Sequence, residues 1–339
     1  MTTLGELRVG VVGAGMMGSD HVTRLTRRVT GATVSAIIEP DAGRAAAALE
    51  HAPGAQSFTR IEDAIEQGVL DAVLIATPGA FHEQVLLPAL DAGLEILCEK
   101  PLTQEPQSSL RVLEAEQKLD RPHIQVGFMR RFDTQYARLR QLIESGTAGE
   151  LVMLRCVHRN PNVPESYTQE MLITDSVVHE FDIAPWLAGS GVRSVEVKHP
   201  RRNSLSPNDL GEPILVLIGL ENGVLVDVEM NVSIQFGYQV ATEAVFERGV
   251  ARIGQPAGLQ LWQDGRVATE EHQSFKTRFH DAYDTEVQRW VDAARIGTID
   301  GPSAWDGYLV ALACQAGVAA LTTDAVVPVA APARPAFYA

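Results

Sequence analysis

The chain has 339 residues, 45% hydrophobic and 21% charged, which is ordinary for a globular protein and enough for two domains. A formal net charge of −15 argues against broad binding to nucleic acids or anionic membranes. The three cysteines, Cys98, Cys156 and Cys314, are widely spaced, which favours free thiols over a disulfide framework or a zinc site. With no signal-peptide pattern and no membrane-length apolar stretch, the sequence predicts a cytoplasmic protein.

The first part of the chain, residues 1–124, alternates between short apolar runs and helical stretches. The predicted strands are 7–12, 33–38, 72–76, 95–98 and 123–126. The predicted helices are 18–28, 42–50, 81–92 and 107–119. Strands that are apolar throughout and alternate with helices are typical of a parallel sheet covered on both faces. We therefore predict an N-terminal Rossmann domain with a doubly wound α/β fold.

The pattern changes after residue 126. The predicted helices are 132–144, 175–187, 280–295 and 303–321. The predicted strands are 151–158, 214–220, 224–232 and 239–246, within a β-rich region over 194–268. Turn signals at 221–223 and 263–265 separate successive strands, which favours an antiparallel sheet. We predict a second domain of α+β type over 125–339, with an irregular Pro/Ala-rich tail at 325–339.

A glycine-rich segment follows the first predicted strand and opens the first helix. Its residues are Gly13, Ala14, Gly15, Met16, Met17 and Gly18. In this pattern the first glycine allows a tight turn, the second lets the backbone approach a pyrophosphate, and the third lets helix and strand pack closely. The helix N-terminus adds N–H donors and a positive dipole end. The segment predicts a dinucleotide site.

Glu39 ends the second predicted strand, 21 residues after Gly18, close to the spacing of a ribose-binding acid. Its carboxylate would accept hydrogen bonds from the adenosine ribose and repel a 2′-phosphate. Glu39 therefore predicts NAD as the cofactor. Arg44 is a counter-signal because a nearby arginine can serve NADP, but Glu39 is the better-placed group.

Two further motifs follow strands at their carboxyl ends, where ligands bind in open α/β sheets. Thr77-Pro78 with His82 follows one strand, and Glu99-Lys100-Pro101 follows the next. A lysine there can contact a nicotinamide or a substrate hydroxyl. The alternative is a surface ion pair of Lys100 with Glu99.

Asp175 and His179 are four residues apart, so on a helix they share one face. An imidazole flanked by carboxylates can accept a proton because the resulting cation is stabilised. A buried structural histidine is one alternative. Another is a metal site built from His179, Asp182 and His158, although hydride chemistry needs no metal, and we predict none.

The motifs resemble, in order and over nearly the whole chain, the Gfo/Idh/MocA family of oxidoreductases. The residues that carry the resemblance are Gly13 to Gly18, Thr77-Pro78 with His82, Glu99-Lys100-Pro101, and Asp175 with His179. The resemblance implies a Rossmann domain followed by an α/β domain whose large, mostly antiparallel sheet often forms dimers or tetramers.

Other segments resemble the branch of this family that oxidises myo-inositol. They are 127–133, 157–161 and 173–176. The resemblance implies Lys100, Asp175 and His179 as catalytic residues and a cyclic polyol as substrate. It implies polyol contacts from Met129, Arg130, His158 and Asn160, and less securely from Tyr238 and Tyr283.

The expected reaction is the transfer of a hydride from a secondary hydroxyl to NAD, with His179 as the proton acceptor. The first domain would hold the cofactor, the second the polyol, and the site would lie in the cleft. Two alternatives stay open. One is a dehydrogenase for another substrate, such as scyllo-inositol, an inosose or a pyranose. The other is a non-catalytic NAD-binding sensor of a small ligand.

Overall fold

The computed structural model describes residues 5–254, 260–323 and 325–339, which form two compact units. The first unit contains the described residues up to Met129, with Tyr283–Ala311 and Ala333–Ala339. The second contains the described residues of Arg130–Ala282 and Leu312–Pro332. The sequence led us to expect one boundary, between residues 124 and 125. The division instead falls after Met129, and two late segments belong to the first unit.

The first unit is built on a six-stranded parallel sheet with strand order β3-β2-β1-β4-β5-β6. The strands are β1 (Leu7–Val12), β2 (Ala32–Ile38), β3 (Gln56–Phe58), β4 (Ala72–Ile75), β5 (Glu95–Glu99) and β6 (Ile124–Gly127). The helices that alternate with them are α1 (Met16–Arg27), α2 (Ala42–Leu49), α3 (Ile61–Glu66), α4 (His82–Asp91) and α5 (Pro106–Glu116). This order confirms the predicted Rossmann fold, in which the strand order reverses between β1 and β4.

Helix α9 (His280–Ala294) explains why a late segment belongs to the first unit. Its residues Val287, Trp290 and Val291 are buried in the same core as Val9 and Leu74 of the sheet. Because an amphipathic helix is held mainly by burial of its apolar face, this packing fixes the segment to the first unit. The order of the elements along the chain does not reveal that a late helix packs into the core of the first unit.

The second unit contains a seven-stranded sheet with strand order β12-β11-β7-β10-β9-β8-β15. The strands are β7 (Leu151–Arg159), β8 (Val192–Lys198), β9 (Ile214–Leu220), β10 (Leu225–Asn231), β11 (Gln239–Phe246), β12 (Gly249–Ile253) and β15 (Val327–Pro328). Every pairing is antiparallel except that of β7 with β10, which is parallel. This arrangement confirms the predicted α+β domain with a large, mostly antiparallel sheet.

The remaining elements complete the described chain. They are α6 (Thr134–Ser145), α7 (Val178–Ala188), the hairpin β13 (Gln260–Gln263) and β14 (Arg266–Thr269), α8 (Phe275–Arg278) and α10 (Ala304–Ala320). The predicted β-rich region includes residues 255–259, which lie outside the described residues. The tail, predicted to be irregular, holds the short strand β15 and a 3₁₀ turn at Ala336–Tyr338. No described helix is long and apolar enough to cross a membrane.

Candidate active site

The glycine loop has the geometry that its sequence predicts. Gly13 has φ +88°, a conformation that L side chains rarely adopt, and a Cβ there would meet the backbone of Thr77 at 2.9 Å. A Cβ on Gly18 would lie 1.8 Å from the Gly13 carbonyl oxygen, so only glycine lets α1 pack this closely. A Cβ on Gly15 would meet nothing within 4 Å. The surface at Gly15 is open, as a site that admits a pyrophosphate requires.

Glu39 is buried beside this loop and is held by three donors. Its Oε2 accepts from the Ala14 N–H at 2.8 Å, while Oε1 accepts from Asp41 N–H at 2.9 Å and Arg44 Nη2 at 2.8 Å. Burial alone would raise the pKa of Glu39, but these hydrogen bonds hold it below its ordinary value. The ionised carboxylate keeps acceptor capacity on Oε2 for one further donor, such as a ribose hydroxyl.

A cavity of about 810 Å³ opens in front of the loop, within the size range of small-molecule sites. Among its lining residues are predicted cofactor contacts, namely Gly13, Gly15, Met16, Met17, Glu39, Thr77 and Pro78. Thr77 Oγ1 is buried and has no hydrogen-bond partner among the described residues. Such a polar atom calls for a partner, and a bound ligand would supply one. These features fit a dinucleotide.

The segment around Lys100 is fixed from two sides. The buried ring of His82 places Nε2 2.8 Å from the Thr77 carbonyl oxygen and Nδ1 2.7 Å from the Pro101 carbonyl oxygen. Burial lowers the pKa of His82, although the Thr77 and Pro101 carbonyl groups act in the opposite direction. Glu99 is also buried, with Oε1 2.8 Å from His21 Nε2. Lys100 thus lies between Glu99, which contacts His21, and Pro101, which contacts His82.

The sequence predicts a single helix over 175–187, but the segment with Asp175 and His179 is not a single α-helix. Residues Leu172–Val177 form a π-helical turn that leads into α7, and Val178 N–H bonds to the carbonyl oxygen of Ile173, five residues back. Asp175 lies in this turn and is exposed, whereas His179 lies in the first turn of α7 and is buried. Single π turns inside helices are frequent at functional sites.

A charged network lies next to His179 in the second unit. Arg130 Nη1 donates to Glu180 Oε1, and Arg130 Nη2 is 3.2 Å from His158 Nδ1. The same His158 nitrogen is 3.2 Å from Glu180 Oε2. The ring of His158 lies with its centroid 6.2 Å from that of His179. The structure thus groups Arg130 and His158, two predicted polyol contacts, beside the predicted proton acceptor.

Glu180 is a residue that the sequence reasoning missed. Its exposed fraction is 1%, and burial alone would raise the pKa of its carboxyl. The charges of Arg130 and His158 outweigh burial and lower the pKa to about 2. The signal was present in the sequence, since Glu180 lies between the apolar residues Val178 and Phe181, and a buried carboxylate needs a partner.

The other predicted polyol contacts are distributed over both units. Met129 and Tyr283 lie in the first unit and Asn160 and Tyr238 in the second. Met129, Tyr238 and Tyr283 are largely buried, and Asn160 is half-buried at the end of β7. The Tyr238 ring meets the His158 ring edge to face, with centroids 6.2 Å apart.

The structure does not arrange the proposed ligands His179, Asp182 and His158 as a metal site. Asp182, one of the three proposed ligands, accepts from Arg131 Nε at 3.0 Å and 3.1 Å on its two oxygens. Within the described ranges, no group of three or more His, Cys, Asp or Glu side chains is placed to hold a metal ion.

Comparison with known proteins adds to this geometry. A family model described as "Oxidoreductase family, NAD-binding Rossmann fold" matches residues 7–128, and one for the "GFO/IDH/MocA C-terminal domain" matches 136–252. An inositol 2-dehydrogenase of Corynebacterium glutamicum is 69% identical over 98% of this chain and 99% of its own length. One from Leifsonia xyli is 68% identical over the full length of both chains.

Among solved structures, the myo-inositol dehydrogenase of Lactobacillus casei in complex with NAD(H) and myo-inositol is similar throughout. Its TM-score is 0.95 and its sequence identity 33%, over 98% of this chain and 100% of that one. Fold, glycine loop and comparisons together define an enzyme, an oxidoreductase acting on CH–OH groups, with NAD as the cofactor of its Rossmann domain. The chain belongs to the Gfo/Idh/MocA family.

Proposed function

We propose that the protein oxidises myo-inositol to 2-keto-myo-inositol (scyllo-inosose) with NAD as the hydride acceptor. The observation that carries the proposal is the 69% identity, over 98% of the chain, to an enzyme named inositol 2-dehydrogenase. The grouping of Arg130, Glu180 and His158 beside His179 supports it, because a six-hydroxyl ring demands several directed donors and acceptors.

In this proposal the bound NAD accepts the hydride, and the chain's own residues handle the proton and the orientation. His179, as neutral imidazole, takes the proton of the reacting hydroxyl. Asp175 orients the ring and stabilises the imidazolium that forms. Lys100, from the first unit, donates a hydrogen bond to the reacting oxygen and so favours its alkoxide character.

The remaining hydroxyls would be held by neutral and cationic polar groups. Arg130 is the main donor, and its Nε is a buried atom with no hydrogen-bond partner among the described residues. His158 and Asn160 add a ring nitrogen and an amide. Met129, Tyr238 and Tyr283 would bound the ring of the polyol. Glu180 compensates the positive charge of Arg130. The groups proposed to hold these hydroxyls therefore suit an uncharged polyol.

The glycine loop, Glu39, Thr77 and Pro78 would bind NAD, with Ala14, Met16 and Met17 supplying backbone contacts at the start of α1. His82 and Glu99 would act in this site by fixing the segment that carries Lys100. Support comes from the cavity at the loop and from the paired Glu39 carboxylate.

The test is NAD reduction, followed by absorbance at the NADH wavelength, with purified protein and a panel of polyols. The panel holds myo-inositol, scyllo-inositol, glucose and other pyranoses. We expect the highest kcat/KM with myo-inositol, and a 2-keto product identified by mass spectrometry. Turnover of only another polyol would reassign the substrate. Ligand binding by calorimetry with no turnover of any polyol would favour a sensor instead.

We also propose that the enzyme works in the cytoplasm, in inositol catabolism, as a homo-oligomer. Cys98, Cys156 and Cys314 are buried and form no disulfide with one another, which suits a reducing compartment. The broad sheet of the second unit offers a surface for a dimer or tetramer. Light scattering coupled to size-exclusion chromatography measures the assembly directly, and a monomer at micromolar concentration would contradict it.

A further inference from the structure

A buried chain of polar side chains lies behind Lys100 in the first unit. His21 Nε2 is 2.8 Å from Glu99 Oε1, and His21 Nδ1 is 3.1 Å from Arg24 Nη1. The exposed fractions of His21 and Arg24 are 0% and 3%. Both residues lie on α1, the helix that begins at the glycine loop, whereas Glu99 ends β5. The chain therefore joins the cofactor-binding helix to the residue that precedes Lys100.

The chemistry of the arginine decides which nitrogen of His21 carries the hydrogen. A guanidinium has donors and no acceptor, so His21 Nδ1 must accept from Arg24. The ring then carries a hydrogen on Nε2 and donates it to Glu99. Burial alone would raise the pKa of Glu99, but the interactions of its carboxylate with His21 and then with Lys100 lower it. Glu99 is thus an anion with a fixed donor.

Arg24 is in turn held in place by two carboxylates. Its Nη2 donates to Asp20 at 2.8 Å and its Nε to Asp284 at 2.7 Å. The guanidinium lies 5.3 Å from the centre of the Tyr283 ring, which also meets the His21 ring edge to face. These contacts hold the Arg24 guanidinium against His21 Nδ1 and so favour the ring orientation in which Nε2 faces Glu99.

The other Glu99 oxygen is held at the Lys100 backbone. Oε2 accepts from Lys100 N–H at 3.3 Å, and a Cβ on Gly127 would come within 3.3 Å of the same oxygen. The carboxylate therefore has little room to move. We propose that His21 is a positioning residue, which orients Glu99 and through it Lys100 relative to the cofactor loop. The inference rests on the proposed role of Lys100 in the reaction.

The test compares two substitutions of one residue. His21→Leu removes the donor to Glu99, and we expect kcat to fall about tenfold or more, since misplacing a catalytic group by an ångström can cost far more than that. The KM for NAD should stay within about threefold of the wild type. His21→Gln keeps a donor and an acceptor in similar positions and should restore most of kcat. The matched control is His51→Leu, an exposed histidine of the same unit, which should leave kcat unchanged.

Three outcomes would overturn the proposal. They are a wild-type kcat in His21→Leu, an equal loss in His21→Gln and His21→Leu, and a KM for NAD that rises in proportion to the loss of kcat. Circular dichroism checks that each variant folds.

A second measurement does not depend on turnover, so it stands even if no polyol proves to be a substrate. In ¹⁵N-histidine NMR spectra of the wild type, with His21→Gln for assignment, we expect Nε2 protonated and Nδ1 unprotonated. The opposite tautomer or a doubly protonated ring would refute the positioning role. Failure of the wild type with every polyol would refute the proposed function alone.

Discussion

Glu180 Oε2 lies 3.2 Å from His158 Nδ1, and both side chains are almost fully buried in the second unit. The other oxygen of Glu180 accepts from Arg130. One carboxylate therefore lies against two of the groups proposed to bind the polyol. It also compensates the positive charge of Arg130, which would otherwise be buried without a counter-ion.

The first prediction concerns the stability that this pair provides. Glu180→Gln should lower the free energy of unfolding by about 3–5 kcal/mol, because it leaves the Arg130 cation buried and uncompensated. Urea unfolding followed by fluorescence measures the change. Glu144→Gln breaks an exposed ion pair with Arg140 and should cost about 0.5 kcal/mol or less.

The double substitution Arg130→Met with Glu180→Leu separates charge from packing. Both charges are removed together in the double variant. Its free energy of unfolding should therefore be closer to that of the wild type than the free energy of unfolding of Glu180→Gln is. If the double variant is the less stable of the two, the loss stems from packing rather than from an uncompensated charge.

The second prediction concerns acid pH. The folded-state pKa of Glu180 is about 2, below the ordinary value of 4.5, so its contribution is complete above about pH 4.5 and is lost as pH falls toward 2. The lost free energy should be about 2 kcal/mol at pH 3 and about 3 kcal/mol at pH 2. Urea unfolding of the wild type and of the Arg130/Glu180 double variant, compared between pH 6 and 3, isolates the contribution of Glu180 to the pH dependence of stability. Parallel pH curves for the two proteins would contradict it.

Much of the first unit could be predicted because its signals are local. The predicted strands over 72–76 and 95–98 and the glycine loop each lie within one or two residues of the observed elements β4 and β5 and the start of α1. The short strand β3 and helix α3 were missed. Three and six residues long, they show too little periodicity to detect.

What could not be predicted depends on distant parts of the chain. Nothing near Trp290 indicates that it packs into the core of a sheet whose strands end more than 160 residues earlier, so the late return of the chain was not expected. The π turn at Leu172–Val177 adds one residue to a helical turn, a change that an apolar pattern does not reveal. The partners of Glu180 were hidden for the same reason, since Arg130 is 50 residues away.

The third prediction concerns the choice between NAD and NADP. Glu39→Ala removes the carboxylate that binds Arg44 and leaves that guanidinium available for a 2′-phosphate. The ratio of kcat/KM for NAD to that for NADP should fall about tenfold or more, which corresponds to about 1.4 kcal/mol. Steady-state kinetics with both cofactors give the ratio. Adding Arg44→Ala should reduce the use of NADP again, and an unchanged ratio in Glu39→Ala would show that Glu39 does not read the ribose.

The fourth prediction concerns the proton acceptor. His179→Ala should lower kcat about 10²-fold or more, the usual scale for a positioned acid–base group, and leave the Kd for NAD nearly unchanged. Stopped-flow or steady-state NADH formation measures kcat, and fluorescence titration measures the Kd. The exposed His51→Ala is the control. Near-native turnover by His179→Ala would assign the proton to another group.

The fifth prediction separates two glycines of one loop by what surrounds them. A Cβ on Gly15 meets nothing within 4 Å, so Gly15→Ala should change the free energy of unfolding by less than about 1 kcal/mol. The added methyl group would stand where we expect the pyrophosphate, so the Kd for NAD should rise about tenfold or more. A Cβ on Gly18 would instead lie 1.8 Å from the Gly13 carbonyl oxygen, which forces α1 away from the loop.

Gly18→Ala should therefore lower the free energy of unfolding by about 1–3 kcal/mol, the usual cost of an overpacked interior, and weaken NAD binding as well. Thermal unfolding with and without NAD distinguishes the two variants, since a ligand raises the midpoint further the more its concentration exceeds the Kd. The wild type should gain stability with NAD, while Gly15→Ala should start from a wild-type midpoint and gain less. If both variants lost equal stability without NAD, the open space at Gly15 would not be a ligand site but part of the packed loop.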